Sequence, residues 1–157
     1  MLSREAKIMQ SVQDWVNDAL ASAGYSGLYE MTDTHPQLLK NPLDVSIISL
    51  TKSSSTPTIA HEIGGPYVLE ELNFAFDVVG RTEKLAHGLS RVIEDKMKNC
   101  DTLPMKDYDS VLAPVVQRLL IISSTGIRMR IADPAPWQRF WYRVSFRVQD
   151  EYNVTYS

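Results

Sequence analysis

From Phe140 to Val148 the chain alternates without a break: Phe140, Tyr142, Val144, Phe146 and Val148 on one side, Trp141, Arg143, Ser145 and Arg147 on the other. A period of two with one wholly apolar face is a strand lying on a core, and it commits the chain to a sheet. The opposite face carries Trp and Arg rather than the usual Lys, Glu and Thr. These two residue types are the most enriched at protein–protein hot spots. Tyr67 to Val79 repeats the pattern, with Val68, Leu72, Phe74, Phe76 and Val78 opposed by Glu71, Asn73 and Asp77. Glu70 breaks the apolar side where that strand leaves the core.

Two segments have the other period. Ile8, Val12, Trp15/Val16, Ala19/Leu20 and Ala23 recur at helical spacing behind a possible Ser3 cap, and Gly24 is placed to end the helix. Trp15 belongs to its buried stripe. Thr82 caps a second helix with Leu85/Ala86, Leu89, Val92/Ile93 and Met97 inward and Arg91–Asp95 and Glu94–Lys98 pairs on its wet side. Gly88 beside that stripe costs about 1 kcal/mol against Ala, which a close approach to the sheet would explain.

Shorter strands are expected over 44–51, 116–122 and 127–132, the last two as a hairpin turning at Ser123-Ser124-Thr125-Gly126. Gly24 to Pro42 reads as turns and Cys100 to Ser110 as a loop. The expected fold class is therefore α+β, a single domain over 1–157. Its order is α-β-β-α-β-β-β, with two main helices packed on one face of a mostly antiparallel sheet. A mobile loop is expected over about 52–66, because Lys52, Ser53, Ser54, Ser55, Thr56, Pro57 and Thr58 offer nothing to a core.

At 157 residues the chain can bury an ordinary core, and 44% hydrophobic with 22% charged residues is average globular composition. The net charge is −3 but unevenly placed. Between Arg118 and Arg147, six arginines against one aspartate give +5, leaving the remainder at −8. That asymmetry suits a molecule whose one flank meets the other flank of a neighbour. Cys100 is the sole cysteine, so no intrachain disulfide is possible. The longest apolar run is too short for a bilayer, no signal peptide is read, and no membrane association is expected.

The search for chemistry finds nothing with the right spacing. His61-Glu62 lacks the second His of a helical zinc site, Gly64-Gly65-Pro66 lacks the Lys-Ser/Thr of a phosphate loop, and no serine sits in a nucleophile elbow. No catalytic residue, metal or cofactor is expected. The candidate site is an interface instead: Trp137, Arg139, Trp141, Arg143 and Arg147, meeting acids such as Glu70, Glu71 and Asp77 of a neighbour, with Lys52 to Thr58 as an assembly loop. The same strand could alternatively stack single-stranded bases.

The features in sequence are an amphipathic first helix, the early strand Val45-Ser46-Ile47-Ile48, a polar loop, and Gly80-Arg81-Thr82 before a helix. A step at Pro134-Ala135-Pro136-Trp137-Gln138-Arg139 then enters the final aromatic strand. This ordering resembles the tail terminator and related neck proteins of tailed bacteriophages, with head-completion and minor capsid neck proteins as the alternative. The resemblance implies a ring, typically of six subunits, that caps the tail tube and docks the head connector. It implies a location at the virion neck after assembly in the host cytoplasm. Implied partners are other copies of the chain, the tail tube protein, head connector and neck proteins, and a sheath protein if the tail is contractile. DNA would only pass through the lumen.

Overall fold

The computed structural model describes residues 1–36, 45–59, 67–133 and 139–153. Its elements are α1 (Arg4–Ser22), β1 (Tyr29–Thr32), β2 (Ser46–Ile59), β3 (Tyr67–Gly80), α2 (Glu83–Asn99), β4 (Thr102–Lys106), β5 (Val115–Ile131) and β6 (Phe140–Asn153). The six strands form one sheet in the order β1-β2-β3-β6-β5-β4. Every pairing is antiparallel except β1 with β2. The fold is α+β.

Both helices cover the same face. Ile8, Val12, Trp15, Val16 and Leu20 of α1 and Leu89, Ile93 and Met97 of α2 join one buried cluster with the inward residues of β2 to β6. At its centre Phe146 of β6 stacks on Phe74 and Phe76 of β3, ring centroids 5.3 and 5.8 Å apart. Each helix begins where its cap residue stands: the Ser3 hydroxyl accepts from Ala6 N–H and the Thr82 hydroxyl from Leu85 N–H. Gly24 follows α1 with φ +89°, as a helix stop requires. Among the described residues no helix is long and apolar enough to cross a membrane.

Four segments depart from the sequence reading. Residues 29–32, expected as turn, form β1; four residues are too few to display a period. The expected polar loop from Lys52 to Thr58 is the outer half of β2, paired with β3 from Lys52↔Phe74 to Ile59↔Val68 with a register shift between Ser53 and Thr56. Threonine is a good strand former, so a polar composition does not by itself exclude a strand. Among the described residues β1 covers only Ser46 to Ser49, which leaves this stretch of β2 an edge where Pro57 is tolerated. Residues 60–66 of that expected loop lie outside the described residues.

The third departure is β4, read as loop, although Leu103 and Met105 point inward and are buried. The fourth is the expected hairpin over 116–132, which is the single strand β5. Its pairing with β6 jumps from Ile122↔Arg147 to Ile127↔Ser145, so five steps on β5 match two on β6. The turn-like Ser123 to Gly126 stretch is thus a large bulge. The bulge sets the sides beyond it: Met129 lies on the face away from the helices, 56% exposed, while Arg128 and Arg130 turn toward α2.

The close helix–sheet approach is at Gly80, not Gly88. A Cβ on Gly80 would stand 2.6 Å from Ala86 Cβ and 2.7 Å from Ala86 N, in the first turns of α2. Gly88 instead abuts the hydroxyl end of Tyr25. Gly80→Ala is therefore expected to destabilise by about 1–3 kcal/mol, because helix backbone must move. Gly88→Ala needs only a tyrosine tip to swing and is expected within about 1 kcal/mol of wild type. Urea denaturation of the two variants checks the contrast.

Candidate interaction site

The face of β6 that carries Trp141 and Arg143 pairs with the face of β3 that carries Asp77, since Asp77 stands opposite Arg143 and Val79 opposite Trp141. Trp141 is only 2% exposed, and its Nε1–H donates to Asp77 Oδ1 at 2.8 Å. Arg143 Nε donates to the same oxygen at 2.8 Å, and its guanidinium lies over the Trp141 ring. The His35 ring meets Trp141 edge-on, with centroids 6.0 Å apart. The chain after β1 is held here by Ser49 Oγ, which donates to the carbonyl of Thr34. Trp141 is thus packed inside the chain, as core rather than as an exposed part of the candidate interface.

The arginines meet acids of the expected kind, but within the chain rather than in a neighbour. Arg147 pairs with Glu71 at 2.6 Å on an exposed part of the sheet. Arg139 pairs with Asp133 at 2.7 Å, both side chains almost wholly buried. Arg128 pairs with Glu94 and Arg130 with Glu83, joining β5 to α2. Five of the six arginines between 118 and 147 therefore answer acids of their own chain, which cancels most of the asymmetry seen in the sequence. Arg118 is exposed, with no ion pair among the described residues. Glu70 lines a cavity beside α1 rather than the Trp141 face. Trp137 lies outside the described residues, and Lys52 to Thr58 is strand, not loop.

What the molecule leaves open is elsewhere. The loop joining β4 to β5 carries Val111 and Leu112 at its tip, 103% and 87% exposed, followed by half-exposed Val115 and Val116. It is tightly built. Asp107 N–H donates to the Pro114 carbonyl, Ser110 N–H to Asp107, and Ala113 N–H to Ser110. Ala113 turns with φ +41°, a left-handed conformation that costs a non-glycine residue free energy.

The same loop is fastened to α1. Lys7 Nζ lies 2.9 Å from Asp107 and 2.8 Å from Asp109, and the Leu2 N–H donates to Asp109. Hydrogen bonds from Lys7 and the Leu2 N–H hold the Asp109 carboxyl below its ordinary range, and Asp109 and Asp107 in turn raise Lys7. Tyr108 donates to Asp14, and burial with that carboxylate pushes its hydroxyl up to about 12. The exposed tip is therefore a fixed projection. The sequence signal was present as Val111-Leu112 between Ser110 and Pro114, a pair of large aliphatics inside a turn.

Across the first turns of α1 from this loop is a cavity of about 290 Å³ floored by Ile8, Leu72 and Phe74. Arg4 is anchored there by two hydrogen bonds to the buried Asp150 at 2.7 and 2.6 Å and one to Gln117. Lys52 bridges to Glu5 at its mouth. A second hollow, about 560 Å³, runs between the helices beside Trp15, Val92 and Cys100. Among the described residues no three of His, Cys, Asp and Glu come together as a metal site. No protein-family model matches this sequence, and no curated protein matches it.

Proposed function

We propose that the protein is a non-enzymatic assembly component of a tailed-phage virion: a tail terminator whose copies close into a ring, six in the related family, that caps the tail tube and receives the head connector. The observation that supports this reading best is the rigid, fully exposed aliphatic tip at Val111-Leu112, followed along the chain by half-exposed Val115 and Val116. A well-ordered apolar projection of this kind marks a surface that another protein covers. Of the features that carry the resemblance, the fold has the amphipathic N-terminal helix, the early strand, the strand ending at Gly80 before a capped helix and the terminal aromatic strand; the polar loop is instead the outer half of β2, and residues 134–138 of the proline-rich step lie outside the described residues.

The partners under this reading are further copies of the chain, the tail tube protein, connector or other neck proteins, and a sheath protein in a contractile tail. DNA passes through the lumen without sequence readout. A base-stacking role for β6 has less support, because Trp141 is buried and Arg143 is engaged with Asp77. The reading is tested by adding the protein to polymerising tube protein from its own tail and imaging the tubes by electron microscopy. Tubes that stop growing with added density at one end are expected. Unchanged growth with bare ends would reject it.

A further inference from the structure

Arg128 makes a contact that only one form of its partner allows. Its Nη1 stands 2.8 Å from Nδ1 of His87, on α2. A guanidinium has donors and no acceptor, so Nδ1 must accept, which requires the neutral ring with its proton on Nε2. Protonation of Nδ1 would set the N–H of one cation against the N–H of another. This link between α2 and β5 thus belongs to a single protonation state of an imidazole, the side chain whose charge ordinarily changes between about pH 5 and pH 8.

The surroundings supply a second partner. On α2 the groups one turn from His87 are Glu83, Lys84, Ser90 and Arg91. The Ser90 hydroxyl donates to the His87 carbonyl, and Arg91 is turned to Asp95 at 3.9 Å. From β6 the Tyr142 ring meets His87 edge-on, centroids 5.9 Å apart, and lies beneath the Arg128 guanidinium at 5.5 Å. From β5 Arg130 pairs with Glu83, which also accepts from the Tyr142 hydroxyl at 3.0 Å. The Tyr142 hydroxyl, and then Arg130, hold the Glu83 carboxyl below its ordinary 4.5, and a charge on His87 acts in the same direction. Glu83 is therefore still an anion at about pH 5.

Arg128 has another anchor besides His87. Glu94, which Lys98 also approaches, places Oε1 3.6 Å from Arg128 Nε and accepts the Arg128 backbone N–H on Oε2 at 3.1 Å. Helix and strand therefore stay joined when the imidazole contact is lost.

We infer that His87 exchanges partners with pH: neutral, it accepts from Arg128 across the seam between α2 and β5; protonated, it releases Arg128 and turns to Glu83 on its own helix. The exchange is independent of the assembly role proposed above. It alters one of the links that fix the part of β5 beyond its bulge to α2.

Double-mutant cycles at about pH 8 and about pH 5, on either side of imidazole titration, test the exchange. One cycle joins His87→Ala with Arg128→Met, the other His87→Ala with Glu83→Gln, and urea unfolding measures both. The His87–Arg128 coupling is expected to favour folding by about threefold or more at the higher pH, and to vanish or change sign at the lower. The His87–Glu83 coupling is expected to appear only at the lower pH. A merely structural role for His87 would leave both couplings unmoved by pH. Imidazole nitrogen NMR of the wild-type protein adds a measurement that does not depend on how the variants fold. His87 should carry a proton on Nε2 and none on Nδ1 at the higher pH. A proton on Nδ1 there, equal His87–Arg128 coupling at both pH values, or no His87–Glu83 coupling in acid would each overturn the exchange.

Discussion

Asp133→Ala is expected to destabilise the protein by about 3–5 kcal/mol, the cost of leaving a buried charge without its partner. Asp133 and Arg139 have 1% and 5% of their side chains exposed, and the carboxylate accepts from Nε at 2.7 Å, Nη2 at 3.3 Å and the Arg139 backbone N–H at 2.8 Å. The Nη1 atom of Arg139 is buried with no hydrogen-bond partner among the described residues. Removing the carboxylate strands the arginine at the entrance to β6. Arg139→Met in the Asp133→Ala background should recover much of the loss, since a buried pair replaced by apolar groups is often neutral.

The same pair makes part of the stability depend on pH. The Arg139 side chain, and then its backbone N–H, hold the Asp133 carboxyl below its ordinary value of 3.8. A depressed carboxyl contributes stability that is fully present above the unfolded value, from about pH 5 upward. The contribution is lost as the pH falls through the folded value. Urea midpoints of wild type and Asp133→Ala should therefore lie far apart at neutral pH and approach each other in acid. A constant gap down to the acid limit would contradict the ion pair.

Asp77→Ala is the second large effect, expected at about 2–3 kcal/mol. One oxygen of Asp77 accepts from both the Trp141 indole and the Arg143 guanidinium, while its Oδ2 is buried with no hydrogen-bond partner among the described residues. Alanine leaves the indole N–H unsatisfied within a packed interior. Asp77→Asn keeps an acceptor for it and is expected to lose only about 1 kcal/mol. Trp141 fluorescence should shift to the red in Asp77→Ala and stay close to wild type in Asp77→Asn. Chemical denaturation followed by that fluorescence measures both quantities together.

These two aspartates also show where reading the sequence stopped. The alternation over Phe140–Val148 and Tyr67–Val79 identified two central strands and which residues share a face, because the period of a strand is local information. It could not say that both faces are covered at the Trp141 end, where the segment after β1 brings His35 over the ring. The acids chosen as partners for Arg143 and Arg147 included the right ones, Asp77 and Glu71, but β3 of the same chain supplies them. Residue types fix which groups attract; only the strand register decides whether the pair lies within one molecule.

Both helices were legible because cap, stripe and stop coincide at Ser3, Val12 and Gly24, and again at Thr82 and Leu89. The outer half of β2 was not, because Lys52 to Thr58 carries no apolar alternation to betray it. Ser123 to Gly126 has the composition of a turn, and as a bulge it reverses which side of β5 the following residues face. Val111-Leu112 stands in the sequence as an aliphatic pair in a turn, and nothing local tells which way it faces. Their exposure depends on Lys7, Asp14 and Leu2, far away in sequence, which fasten the loop outward.

The claim on which the functional account rests is assembly at the end of a tail tube. Native mass spectrometry of the purified protein, alone and mixed with a tail tube protein encoded beside it, measures it directly. The expected result is one closed stoichiometry, six copies, present alone or formed once tube protein is added and retained in the complex with tube protein. A persistent monomer with no tube-bound species at any mixing ratio would contradict it.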